Sequence, residues 1–547
     1  MHQREFARDD TYIKWQLGLG FAALFLGILM GLFQGLDRMG IDLYKYVGLK
    51  SYYQGLTIHG VLNVLVFTTA FNGAFLPYVT MRSLKRPMAI KGGSAIAFFL
   101  MLVGVLLAAW KILDNSSTVL FTFYPPLQGH PLFYLGLVLV VVSSWVTFLN
   151  ILLTTRAWKQ DHPGEPLPLQ AFISLVTYIM WFIASLGVAI EVLVLILPWS
   201  LGIVEKTDPQ LARTFFWLTG HPIVYFWLLP AYLSWYTMLP KQVGGKILSD
   251  PLVRLVFILF LLLSTPVGFH HQYTDPGVPA GWKAMHALLT FSVFFPSMIT
   301  AYSVVASLEI GGRKAGGKGL FGWIWKLPWG DPVVTTQLLA GLGFFLGGVS
   351  GLINASYNIN MVVHNTAFVP GHFHLTIGTA VTLTAMGIMY WLLPALTGKK
   401  LWGRGLALAN AWLWFLGVLI FSRGQMAGGL EGMPRRTWMA TATYLQFMET
   451  WDIPNKMTAV GGALMFLGGM AFFAVMVGTL FFSRERAKVE MPTAEAIIGP
   501  EKGSPLFTKR LDVWTVVAIV LVLIAYVPYL VNYLGDAAFV ATGQRVW

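Results

Sequence analysis

Cysteine is absent from all 547 residues. That excludes structural disulfides, thiolate metal sites and iron–sulfur clusters on this chain. Charge is scarce as well: 11% of residues are Asp, Glu, Lys or Arg, against 56% that are hydrophobic. A soluble chain of this length needs far more charge to cover its surface. Nor is there a polar stretch long enough for a soluble domain. The longest are Ile310 to about Trp329, Gly424 to Asn455 and Ser483 to Arg510. With thiolate gone, histidine and carboxylate are the strong metal ligands left, and there are only 11 histidines.

What fills the chain is long apolar runs, each near the roughly 20 residues that cross a bilayer as a helix. The expectation is an all-α membrane protein, one domain over residues 1–547, with thirteen spans. They centre near Phe25, Phe67, Gly104, Val140, Ala184, Leu228, Phe260, Phe294, Gly343, Ala385, Phe415, Gly468 and Leu521. The first run, from Gln16 to about Phe33, reads as a membrane helix and not as a removed signal peptide. The net charge of +13 needs no nucleic acid to explain it. Lys and Arg favour one set of loops by roughly two to one, which puts the N-terminus inside and the C-terminus outside.

Six histidines fall near the outer ends of four spans under that orientation. His59 opens the second span, His221 opens the sixth, His270 and His271 close the seventh, and His372 and His374 open the tenth. Imidazoles at one membrane depth are costly and point to function, and imidazole binds heme iron and copper well. Residues i and i+2 on a helix point about 200° apart. His372 and His374 therefore serve two different metals on opposite sides of one helix, which suits two hemes. His59 is the candidate second ligand for a low-spin heme. His221, His270 and His271 suit a trigonal copper site, provided that the helix end carrying the adjacent pair is distorted.

Tyr225 lies one turn after His221 on the same face and can supply an electron and a proton to bound oxygen. Tyr232 and Tyr236 continue that stripe toward the inner side. Ser297 and Thr300 share a face in the inner half of the eighth span, and together these hydroxyls can carry protons. Taken singly, each feature has a plainer reading. His59 is as readily a hydrogen-bonded helix contact, Tyr232 and Tyr236 pack, Ser297 and Thr300 bond back to their own helix, and Arg435 and Arg436 are solvated. His130, His162, His286 and His364 take no role, and His2 sits in the N-terminal tail. It is the joint pattern that favours a metal centre.

The motifs YYQGLTIHG, LFTFYPPLQGHP, TGHPIVYFWLLPAY, STPVGFHHQYTDPG and HNTAFVPGHFHLTIGTA together resemble subunit I of heme–copper oxygen reductases, most closely the B-family or ba3-type cytochrome c oxidases. The resemblance runs over nearly the whole chain. It implies reduction of oxygen to water coupled to proton pumping. It implies His59 and His374 on a low-spin heme of b type, His372 on a high-spin heme of a type, and His221, His270 and His271 on copper B. The residues themselves carry no mark of the heme type. By the resemblance Tyr225 is cross-linked to His221. Tyr232, Tyr236, Ser297 and Thr300 form the proton path, and Arg435 and Arg436 meet the heme propionates. It further implies a copper A subunit II, a cytochrome c or similar donor, a small single-helix subunit and a prokaryotic cell membrane. Two positions depart from wider patterns. Ile223 stands where many oxidases outside the B family have Glu, and Asn360 stands where close ba3-type relatives carry an acid. Two rivals remain: a nitric oxide reductase of the same superfamily, against which Tyr225 argues, and a non-redox transporter with structural histidines.

Overall fold

The computed structural model describes residues 2–441, 444, 446–535 and 540–546. Among the described residues, twelve helices are long and apolar enough to cross a membrane. Thirteen were expected; around the remaining centre, Leu228, the chain forms two shorter helices, Pro209–Gly220 and Pro222–Thr237, neither of which is among the twelve. They meet at His221, so this histidine sits at a break within the span and does not open it. The cause is Pro222, which has no N–H to give the preceding turn and starts the second helix instead. The seventh span likewise ends earlier than expected. Its helix, Asp250–Ser264, stops just before Pro266, and His270 and His271 ride on a separate 3-10 turn, Phe269–Gln272. That turn is the distortion which the adjacent pair requires.

Helix starts follow ordinary capping chemistry. Ser51, Asp208, Ser249 and Asp331 each accept a backbone N–H from the first turn, which satisfies donors that the helix leaves free. Two spans hold the centre of the bundle, Tyr52–Leu84 and Phe368–Thr397, whose most apolar stretches are 83% and 89% buried. Both contain a π-helical stretch, Val61–Phe67 and Thr376–Val381. Each begins two residues past a candidate ligand, His59 or His374, and such wider turns recur at functional sites. The rim is formed by Ala280–Lys314 and Leu511–Gly535, each only 22% buried over its most apolar stretch.

Short two-stranded pairings tie residues 541–545 and the segment 496–498 to other loops. Residues 544–545 pair with 127–128, 541–542 with 206–207, and 496–498 with 247–249. Near the N-terminus, Asp10 holds Arg82, and Asp9 accepts from Ser94.

Candidate heme and copper site

Two cavities lie on either side of the helix Phe368–Leu375. One, of about 330 Å³, is lined by His59, His374, Arg435 and Arg436. The other, of about 520 Å³, is lined by His221, His270, His271, His372 and Tyr225. His271, Phe373 and Arg435 line both, so the two spaces are neighbours. Ile223 faces the first cavity, and no acid stands in its place.

In the first cavity the imidazoles of His59 and His374 face each other with ring centroids 6.3 Å apart and planes 17° from parallel. Nδ1 of His59 is 2.8 Å from the Gly27 carbonyl, and Nδ1 of His374 is 2.7 Å from the Pro370 carbonyl. A carbonyl can only accept, so each Nδ1 carries the hydrogen and each Nε2 keeps its lone pair. His372 is held the same way, with Nδ1 3.1 Å from the Gly347 carbonyl and 2.9 Å from the Ser350 hydroxyl. One helix thus turns two histidines to opposite sides, as the two-residue spacing requires.

In the second cavity His221, His270 and His271 bring one nitrogen each within 4.8 Å of one another. Nδ1 of His221 lies 3.3 Å from Nε2 of His271. Nδ1 of His270 lies 2.9 Å from the Thr290 hydroxyl, which itself donates to the His286 carbonyl at 2.6 Å. The hydroxyl has one hydrogen, already given away, so it accepts from His270 Nδ1–H and leaves His270 Nε2 free. Nε2 of His221 is buried without a hydrogen-bond partner, and the Tyr225 ring lies beside the His221 imidazole, centroids 5.0 Å apart.

Below these histidines Tyr232, Ser297 and Thr300 line the same cavity, and the buried Tyr232 hydroxyl has no hydrogen-bond partner of its own. Tyr236 donates to Thr300 at 3.0 Å. Ser297 and Thr300 also donate back to their own helix, to Val293 and Pro296, so the plainer reading of these two holds alongside their place in the cavity wall.

Arg435 donates to Asn365 and Arg436 to Thr122. Neither has an ion pair with a carboxylate among the described residues. Burial, and then the Arg436 charge beside it, pushes Arg435 down to about 9. Two adjacent half-buried cations suit anions. Asn360 carries no charge; its amide oxygen accepts from His364 Nδ1 at 3.0 Å. Two contributors escape a reading of the sequence. Thr290 had a signal, since it lies seven residues before Ser297 on the same helical face. Gly31 had none. A Cβ there would sit 2.9 Å from Cε1 of His59.

Residues 11–464 match the family described as Cytochrome C and Quinol oxidase polypeptide I. The chain belongs to that family. Cytochrome c oxidase subunit 1 of Thermus thermophilus is 47% identical over 547 residues, 97% of this chain and 96% of that protein. Cytochrome c oxidase polypeptide 1 of Halobacterium salinarum is 27% identical over 444 residues, 76% of this chain and 69% of that protein. A cryo-EM structure of a heme–copper terminal oxidase dimer superposes with a TM-score of 0.93 at 39% identity, covering 98% of this chain and 95% of that one. The chain is therefore a multi-pass oxidase subunit of the heme–copper type, a family that reduces oxygen and pumps protons.

The family's two hemes and copper fit the residues present. Two metal–imidazole bonds of about 2 Å, together with the two ring radii, span about 6.3 Å, the separation of His59 and His374. Three imidazoles within 4.8 Å of one another suit one copper ion. The arginine pair suits carboxylates such as propionates.

Proposed function

We propose that the chain is the catalytic subunit of a B-family, ba3-type cytochrome c oxidase. The observation that carries this reading is the disposition of the imidazole nitrogens. In His59, His374, His372 and His270 one nitrogen is committed to a protein partner, which leaves the other to a metal.

In this reading His59 and His374 hold the low-spin heme, of b type, and His372 the high-spin heme, of a type. His221, His270 and His271 hold copper B. Bound there, these groups supply the electrons and the site for reducing oxygen to water. Arg435 and Arg436 bind the propionates. Tyr225 gives a phenol hydrogen to the reaction and is joined to His221 through Nε2. The support is that His221 Nε2 has no hydrogen-bond partner and that the Tyr225 ring packs edge-on to the same imidazole. Thr300, Tyr236, Ser297 and Tyr232 pass protons upward from the inner surface. With Ile223 in place of an acid, this hydroxyl row is the route from within. The N-terminus is inside and the C-terminus outside, in a prokaryotic cell membrane, and residues 1–547 act as one domain.

The chain has no cysteine, so a copper A centre must come from a subunit II. That subunit passes electrons from a cytochrome c or similar donor, and a small single-helix subunit completes the complex. The test is a reduced-minus-oxidised spectrum, a pyridine extract of the hemes and a metal count on the purified complex. One b-type heme, one a-type heme and copper are expected, with oxygen uptake driven by reduced cytochrome c. Absence of heme absorption would refute the assignment of the histidines. Turnover of nitric oxide but not oxygen would refute the oxidase reading.

A further inference from the structure

We propose that His286 is a positioning residue for the copper site, and that it acts through the backbone of the segment carrying two of the ligands. This rests on the assignment of His270 and His271 above. His286 lies on the rim helix Ala280–Ser292 and is fully buried. Its Nδ1 accepts from the backbone N–H of Gly268 at 3.1 Å and of Phe269 at 3.3 Å. Its Nε2 faces the Ala525 carbonyl at 3.3 Å. Two N–H donors on one side and a carbonyl on the other fix a single form of the ring, with the hydrogen on Nε2.

Gly268 and Phe269 immediately precede His270 and His271. The helix Asp250–Ser264 has ended, so it no longer supplies acceptors for these N–H groups, and both would otherwise be buried donors without partners. The segment is closely packed as well. A Cβ on Gly268 would lie 2.2 Å from the Tyr526 hydroxyl and 2.5 Å from the Trp217 carbonyl, and the Phe269 ring packs on His286 and Tyr526. The 3-10 turn is therefore held against His286 and the helix Leu511–Gly535, which touch each other through Ala525 and Tyr526. His286 also lends its own carbonyl to Thr290, whose hydroxyl holds His270 Nδ1. One residue thus sets the backbone under both copper histidines and the hydroxyl that orients one of them.

Two polar variants separate this role from simple structural support. In His286→Asn the amide oxygen takes the place of Nδ1 and keeps the acceptor. In His286→Gln the amide nitrogen takes the place of Nε2, keeping the bond to Ala525 and losing the acceptor. Both are made in the complete oxidase complex. The readouts are copper per heme iron and the infrared stretch of carbon monoxide transferred to copper on low-temperature photolysis. His286→Asn should keep copper near the parent level with a single narrow band. His286→Gln should lose at least half of its copper, or show a shifted and broadened band, with both hemes present. Full copper and an unchanged band in His286→Gln would overturn the proposal. So would equal losses in the two variants, because they would point to packing and not to the acceptor.

Discussion

Replacing Thr300 with valine removes one hydroxyl from a buried row and leaves the side chain's shape. That hydroxyl accepts from Tyr236 at 3.0 Å and donates to the Pro296 carbonyl at 2.8 Å. Tyr236 is 2% exposed, so water does not simply take the place of the lost acceptor. A buried donor left without a partner costs about 1–3 kcal/mol. If that cost falls on the proton-transfer barrier, turnover drops about 5- to 150-fold, at 1.36 kcal/mol per tenfold. Ser303 narrows the range. It faces Tyr236, and its own hydroxyl is buried without a partner, so it can receive the phenol when Thr300 is gone. Thr300→Val alone should therefore fall at the mild end, and Thr300→Val with Ser303→Ala at the severe end. Oxygen uptake under saturating reductant, where proton delivery limits the rate, is the assay. Heme content and carbon monoxide binding should stay normal in both. Parent-level turnover in the double variant would refute the reasoning and return these hydroxyls to helix packing.

Tyr225→Phe keeps the ring and its packing but has no hydrogen to donate; hemes should remain while oxygen reduction is nearly abolished. Fragmentation mass spectrometry between His221 and Tyr225 should find them joined and lighter by about two mass units for the two hydrogens lost; an unlinked segment in active enzyme would exclude the bond. His59→Ala should remove the low-spin heme signal and leave a high-spin site that binds carbon monoxide, and normal spectra from both hemes would show the axial assignment to be wrong. Gly31→Ala should gain up to about 1 kcal/mol of helix propensity yet disturb the low-spin heme, because its Cβ would stand 2.9 Å from Cε1 of His59. An unchanged α-band in the reduced spectrum would mean that the ring has room to retreat.

Much of this arrangement was legible because it depends on residue type and spacing. Apolar runs mark the spans. The breaks in the helices carrying copper ligands were not read, although Pro222 beside His221 and Pro266 ahead of His270 stand at them. The i, i+2 spacing of His372 and His374 gives two sides of one helix. What was hidden depends on neighbours. The π-helical stretches after His59 and His374 have no signature in VLNVLVF or TIGTAV. The carbonyls of Gly27, Gly347 and Pro370 are present in any residue, so nothing in the sequence names them as partners. His286 had a distinctive side chain, but its partners lie 17, 18 and 239 residues away, beyond any local pattern.

That difference divides the site physically. The histidines assigned to the hemes are oriented mainly by backbone: His59 by Gly27, His374 by Pro370, and His372 by Gly347 with help from Ser350. A backbone acceptor survives most substitutions at its own position. The histidines assigned to copper are oriented by side chains: His270 by Thr290, the backbone beneath the pair by His286, and His221 flanked by Tyr225. A side chain can be removed by a single change. Imidazoles with one nitrogen already committed need little reordering to take a metal; all three heme histidines are prepared in this way, but of the copper histidines only His270 is. Substitutions outside the ligands should therefore strip or loosen copper while the hemes stay, whereas emptying a heme position should generally take the loss of a ligand itself or a steric push such as that from residue 31.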